Sequence, residues 1–125
     1  MSITETQNAI EAGRFVGSAI GRNYPSEILD AAKMCLVDWC GVALGARNEE
    51  AQAAVRNVAM NWGTKGDAQV LLGGKASPAA AAMINGTMAH CLDYDDTHVG
   101  STTHVSGPTV SSALAVGTHL GASET

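Results

Sequence analysis

PSEILDAAKMCLVDWCGVALG, residues Pro25 to Gly45, is the stretch whose reading decides the fold. Ile28, Ala32, Cys35, Leu36, Trp39, Cys40 and Ala43 recur in it at three- and four-residue spacing, the period of a helix with one apolar stripe. Pro25 suits a first helical turn, where its missing N–H has no intrahelical partner to lose, and Gly45 supplies a stop. Toward the N-terminus, Ser2 and Glu5 fit a capping box. They open a helix whose stripe is Ala9, Ala12, Phe15, Val16, Ala19 and Ile20, ending by Gly21. Toward the C-terminus, a third helix over Glu49 to Trp62 turns Ala51, Ala54, Val55, Val58 and Trp62 inward, with Gly63 past its end.

Ala68-Gln69-Val70-Leu71-Leu72 is the one strand-like run, too isolated to imply a sheet and read as a short extended link. Ser77-Pro78 then caps and opens an Ala-rich helix to about His90, whose small side chains let another helix approach closely. Asn85-Gly86 inside it points to a bend. A last helix begins near Pro108, carries Val110, Leu114 and Leu120, and stops at Gly121. The expected fold class is all-α, a helical bundle or layered helical domain with at most one short extended segment.

The 125 residues, 46% of them hydrophobic, suffice for one domain with a core but not for two. The 7 basic side chains are scattered singly against 12 acidic ones, so no basic stripe neutralises phosphates and nucleic-acid binding is not expected. No apolar run is long enough to cross a bilayer, and Met1-Ser2-Ile3-Thr4-Glu5 has neither the basic nor the apolar region of a secretory signal. A soluble, cytoplasmic protein without membrane partners is the expectation. Cys35, Cys40 and Cys91 are odd in number, lack a C-x-x-C pair and sit among apolar neighbours, which reads as reduced core thiols.

Chemistry concentrates between Cys91 and Gly107, where apolar periodicity vanishes. Asp93, Asp95, Asp96, Thr97, His98 and His104 crowd together there in a chain otherwise thin in charge. Imidazoles exchange protons near neutral pH and carboxylates orient them, so the segment offers acid/base chemistry between two apolar helices that frame it. A solvated acidic loop is the bland alternative. A second functional reading takes Asp93-Tyr94-Asp95-Asp96-Thr97 as D-x-D-x-T, similar to the nucleophile motif of Mg²⁺-dependent haloacid-dehalogenase-type phosphatases. That motif needs a buried β-branched strand before it, whereas Ile84 to His90 reads as the end of a helix. A third takes His98 and His104 with the aspartates as a metal site, on a spacing that specifies little. His90 reads as a C-terminal dipole partner or packing residue, and Asp95 and Asp96 as loop-shaping. His119 reads as structural, and Trp39 and Trp62 as core.

The run Ala82-Met83-Ile84-Asn85-Gly86-Thr87-Met88-Ala89-His90-Cys91-Leu92-Asp93-Tyr94-Asp95-Asp96-Thr97-His98, followed by Thr103-His104-Val105-Ser106-Gly107-Pro108, resembles the MmgE/PrpD family. The family pattern is roughly N-G-x-x-x-H-x-L-D-[FY]-D-D-T-H and then H-P-S, and Val105 stands here where Pro is common. Leu36 to Gly45 and Val70-Leu71-Leu72-Gly73 fit the family as well. The resemblance covers nearly the whole chain. It implies a lyase or isomerase of the kind that includes 2-methylcitrate dehydratase, cis-aconitate decarboxylase and iminodisuccinate epimerase. Such enzymes act without metal or organic cofactor by proton transfer next to a carboxylate of a small polycarboxylate. It also implies a large helical domain split in sequence, a second smaller domain and a homodimer, with residues 1–125 as the N-terminal part of the helical domain. On that resemblance Asp93, Thr97 and His104 are catalytic, and further lysines and a second histidine would lie beyond residue 125; His98 is, apart from the resemblance, a secondary, substrate-binding candidate. A helical assembly module doing no chemistry is the reading from a different class.

Overall fold

The computed structural model describes residues 3–62 and 65–123. The expected Ser2/Glu5 capping box and the Gly63 stop lie outside the described residues. Five helices occupy most of what is described: α1 Ile3–Ala19, α2 Ser26–Gly45, α3 Glu50–Ala59, α4 Pro78–His90 and α5 Ser106–Leu120. A single 3₁₀ turn, Ala46–Asn48, continues α2 past the glycine stop. Two antiparallel pairs of two-residue strands complete the inventory, β1 Ala68–Gln69 with β2 Lys75–Ala76 and β3 Thr97–His98 with β4 Thr103–His104. The fold is all-α, and no helix among the described residues is long and apolar enough to cross a membrane.

The chain divides into two compact units, residues 1–31 and 32–125. In the first, Arg22 stacks its guanidinium 5.3 Å from the Phe15 ring centroid and donates to the Ser18 hydroxyl, which closes the end of α1. In the second, α4 packs most extensively on α5 and next on α3, and β1 lies against α5. The core they enclose is built from small residues, Ala80, Ala81, Ala89 and Ala115 among them, around Trp39, Ile84, Met88 and Val70. Alanine faces let helices approach closely, and the few large side chains fill the space that remains.

Local chemistry explains the ends. Ser77 accepts from the Ala80 N–H and Pro78 occupies the first turn of α4, as the sequence indicates. Gly121, at φ 62°, closes α5 in the left-handed conformation that glycine adopts without a Cβ penalty. The expected extended link is one arm of a hairpin, which turns back through Leu72, Gly73 and Gly74 at positive φ. Asn85 produces no break in α4: its buried amide takes the Leu71 N–H at 2.9 Å and gives to the Gln69 carbonyl at 3.1 Å, replacing a strand partner for the link. Arg56 ties down the other side of the same turn through the carbonyls of Leu71 and Gly73.

Burial departs from the sequence reading along α1, α2 and α3. Trp39 is buried, but Trp62 is 52% exposed, because α3 ends at Ala59 and the following turn carries the indole off the packed face. Phe15, Val16, Ile20, Ile28, Leu36 and Val58 are also exposed, and Leu120 at the end of α5 with them. Periodicity finds a stripe; it does not supply the surface that covers it.

Candidate active site

The site is made where α4 ends. Cys91 caps the helix, the Asp93 N–H reaches back to the His90 carbonyl at 2.8 Å, and Asp93 turns the chain at φ 56°. Aspartate is among the few residues with a side chain that tolerate this left-handed conformation. The reversal swings Asp95 back under the helix, where its carboxylate is 1% exposed and accepts from His90 Nδ1 at 3.0 and 3.1 Å.

Asp96 does a different task. Its two oxygens accept from the Ser106 backbone N–H at 2.9 Å and the Ser106 hydroxyl at 2.8 Å. Val105, the residue at the N-cap of α5, has no side-chain cap to offer, so Asp96, ten residues upstream of Ser106, satisfies the helix end. Both Asp95 and Asp96 thus lie at the positive end of the α5 dipole, which compensates carboxylates that have no Lys or Arg anywhere in residues 76–125. Gly107 permits the close fit, since a Cβ there would sit 3.1 Å from Asp95 Oδ2.

The β3–β4 hairpin delivers His104. Its register sets Thr97 opposite His104 and His98 opposite Thr103. Cross-strand partners share a face and neighbours alternate, so Thr97 stands beside His104 and His98 points to the other side. His104 Nδ1 is buried 3.2 Å from Asp95 Oδ1 but out of line for a hydrogen bond, and its Nε2 lies 3.7 Å from Asp93 Oδ1. The His90 and His104 rings meet edge to face with centroids 4.8 Å apart.

These groups open onto a cavity of about 480 Å³ between α4 and α5. Ala82, Met83, Gly86 and His90 form one wall, Gly107, Pro108 and Ser112 the other, and Asp95 and His104 the polar end. An apolar cleft with a few converging polar groups is the usual form of a small-molecule site. Of the residues singled out from sequence, His104 lines the cavity, and Asp93, exposed and outside the lining, lies beside its Nε2. Thr97 is exposed next to His104, with its hydroxyl 3.5 Å from the Asp95 carbonyl. His98 is exposed and held by the Ser101 hydroxyl at 2.8 Å, away from the cavity lining.

Sequence reasoning left out His90 and Asp95 as site residues. They are five apart, which is not a helical spacing, and only the left-handed turn at Asp93 brings them into contact. Asp96 shapes the loop as its type suggests. The ligand atoms of His90, Asp93, Asp95 and His104 all fall within 4.8 Å of one another, a donor set that matches a divalent cation in type. His98, the histidine paired with His104 in the metal reading of the sequence, is not part of it.

No curated protein and no solved structure matches the chain. A family model does: that of the MmgE/PrpD N-terminal domain, over residues 11–125, which include every element of the site described above. The chain therefore belongs to the MmgE/PrpD family, as its N-terminal domain.

Proposed function

We propose that this domain carries part of the active site of a lyase or isomerase that moves a proton α to a carboxylate of a small polycarboxylate, as in 2-methylcitrate dehydratase, without a metal. The observation that carries the reading is His104, an imidazole with 29% of its side chain exposed, set between the Asp93 and Asp95 carboxylates at the end of an apolar cleft. Such an imidazole serves as acid/base near neutral pH. Asp93 orients it or a substrate hydroxyl through the oxygen 3.7 Å from Nε2, and Thr97 donates a hydrogen bond from the same face of the hairpin. His98, on the opposite face, is left with contacts at the rim.

The cations that hold a di- or tricarboxylate have no source in residues 76–125 and would be supplied by another part of the protein or by a second copy in a homodimer. The test is a hydration and dehydration assay on 2-methylcitrate and cis-aconitate with the full product of the gene. Turnover that falls at least a hundredfold on His104→Ala supports the reading. Wild-type turnover that survives the substitution removes it.

A second reading has its own observation. Val16 on α1, Ile20 just past its end, and Met34 and Val37 on α2 are each more than 60% exposed, large apolar side chains without cover among the described residues. On this reading the domain is an assembly module whose helices pack on another polypeptide and whose loop does no chemistry. A chain that stays monomeric at high concentration in sedimentation counts against it.

A further inference from the structure

An elimination or epimerisation next to a carboxylate needs two groups, one to take a proton and one to give it, and His104 supplies one of them from this domain. We propose that His90 is the second, and that Asp95 is the positioning residue that makes it so. The assignment of roles rests on the reaction proposed above, whereas the His90–Asp95 geometry stands without it.

Asp95 is buried, and both its oxygens lie within 3.1 Å of His90 Nδ1. A carboxylate placed there fixes the proton on Nδ1 and leaves Nε2 with its lone pair, which is how a carboxylate–imidazole dyad prepares a base. The ring lines the cavity and stands edge to face with His104, so the two imidazoles meet one ligand from one side. Nothing in a helix-end role demands this. His90 is 56% exposed in the last turn of α4, as a dipole partner is, but that role does not call for the buried carboxylate five residues on that holds its Nδ1.

In a dehydration the step balances as follows. His90 Nε2 takes the proton α to the carboxylate, the electron pair of that C–H bond forms the C=C bond, and the C–O bond at the neighbouring carbon breaks. The leaving oxygen takes a proton from His104 and departs as water. His104 starts protonated and ends neutral, His90 the reverse, and Asp95 accepts from Nδ1 throughout, which stabilises the imidazolium that forms. His104 Nδ1, buried 3.2 Å from Asp95 Oδ1 without a hydrogen bond, is close enough to share the same carboxylate once its ring turns into line.

The deciding experiment is a set of long-range ¹H–¹⁵N spectra of the histidine rings of this chain, wild type and Asp95→Asn, at a pH where imidazoles are neutral. The proposal expects His90 pinned as the Nδ1–H tautomer, and released toward the mixture of free histidine in the isosteric Asp95→Asn variant, with the circular dichroism unchanged. A His90 that already shows the free-histidine mixture in the wild type overturns it. So does stoichiometric Zn²⁺ binding that shifts both His90 and His104 at micromolar metal, which would make the cluster a ligand set. In the full gene product, His90→Gln lowers kcat by about 10²–10⁴-fold with little change in KM. A kcat within twofold of wild type overturns the catalytic role. If no polycarboxylate is turned over at all, the proposed reaction falls, and the tautomer measurement alone judges the dyad.

Discussion

Asp96 and Ser106 are joined twice, by the backbone N–H of Ser106 to one carboxylate oxygen at 2.9 Å and by its hydroxyl to the other at 2.8 Å. This pair anchors the hairpin that carries His104 to the first turn of α5, and so couples the stability of a helix end to the placement of the site. Asp96→Ala is expected to cost about 1 kcal/mol, the usual value of a lost N-cap. Asp96→Asn, which keeps one acceptor, is expected to cost less. Urea unfolding of the chain followed by circular dichroism measures both.

Asp93 has two tasks that substitution separates. Its backbone adopts φ 56°, and its carboxylate, 81% exposed, faces His104 Nε2. Asp93→Asn keeps a residue that accepts the left-handed turn, so stability should stay within about 0.5 kcal/mol while turnover of the full product falls. Asp93→Val, β-branched, should lose about 1–2 kcal/mol from strain alone. Equal unfolding midpoints for the two variants would contradict the conformational part.

Asn85 replaces a missing strand partner. Asn85→Leu leaves the Leu71 N–H and the Gln69 carbonyl without their partner next to the core, and a loss of about 2–4 kcal/mol is expected. Hydrogen exchange at the Leu71 amide reads the same event locally, and it should accelerate in the variant before the helices open.

How much of this was legible in the sequence differs from residue to residue. Helix existence followed from spacing and punctuation: Ser77-Pro78 opens α4 and Gly121 closes α5 as their types require. Burial did not follow, because the stripe of α1 and the Ile28 and Leu36 positions of α2 find no cover among the described residues while Trp39 and Ala43 of the same α2 stripe do, and Leu36 or Phe15 looks the same in sequence whether covered or not. The site was legible as a segment and only partly as a set of contacts. His104 and Asp93 were found by chemical type, whereas His90 and Asp95 meet through a backbone reversal that no periodicity encodes. The β3–β4 pair escaped because two-residue strands carry no alternation to detect.

Cys91 gives a pH dependence with a definite sign. Burial, and next the negative charge of Glu49, push its thiol above the ordinary value of 9.0, against a smaller lowering by its backbone hydrogen bond. The folded chain therefore keeps this proton where the unfolded chain has lost it, and the contribution to stability is present below pH 9.0 and lost as pH rises through the folded value. Alkylation of Cys91 by iodoacetamide should lag behind that of a free thiol across this range, and Glu49→Gln should speed it. An unchanged rate in the variant would remove Glu49 as a cause.

The central claim is that His104 is one of the acid/base groups of a reaction that moves a proton next to a substrate carboxylate. Deuterium incorporation from D₂O into 2-methylcitrate or cis-aconitate by the full gene product, followed by ¹H NMR with chelator present, tests it most directly. The account predicts exchange at the carbon α to a carboxylate that persists in chelator and falls at least a hundredfold in His104→Ala. Exchange that needs an added metal, or that proceeds at the wild-type rate without His104, would contradict it.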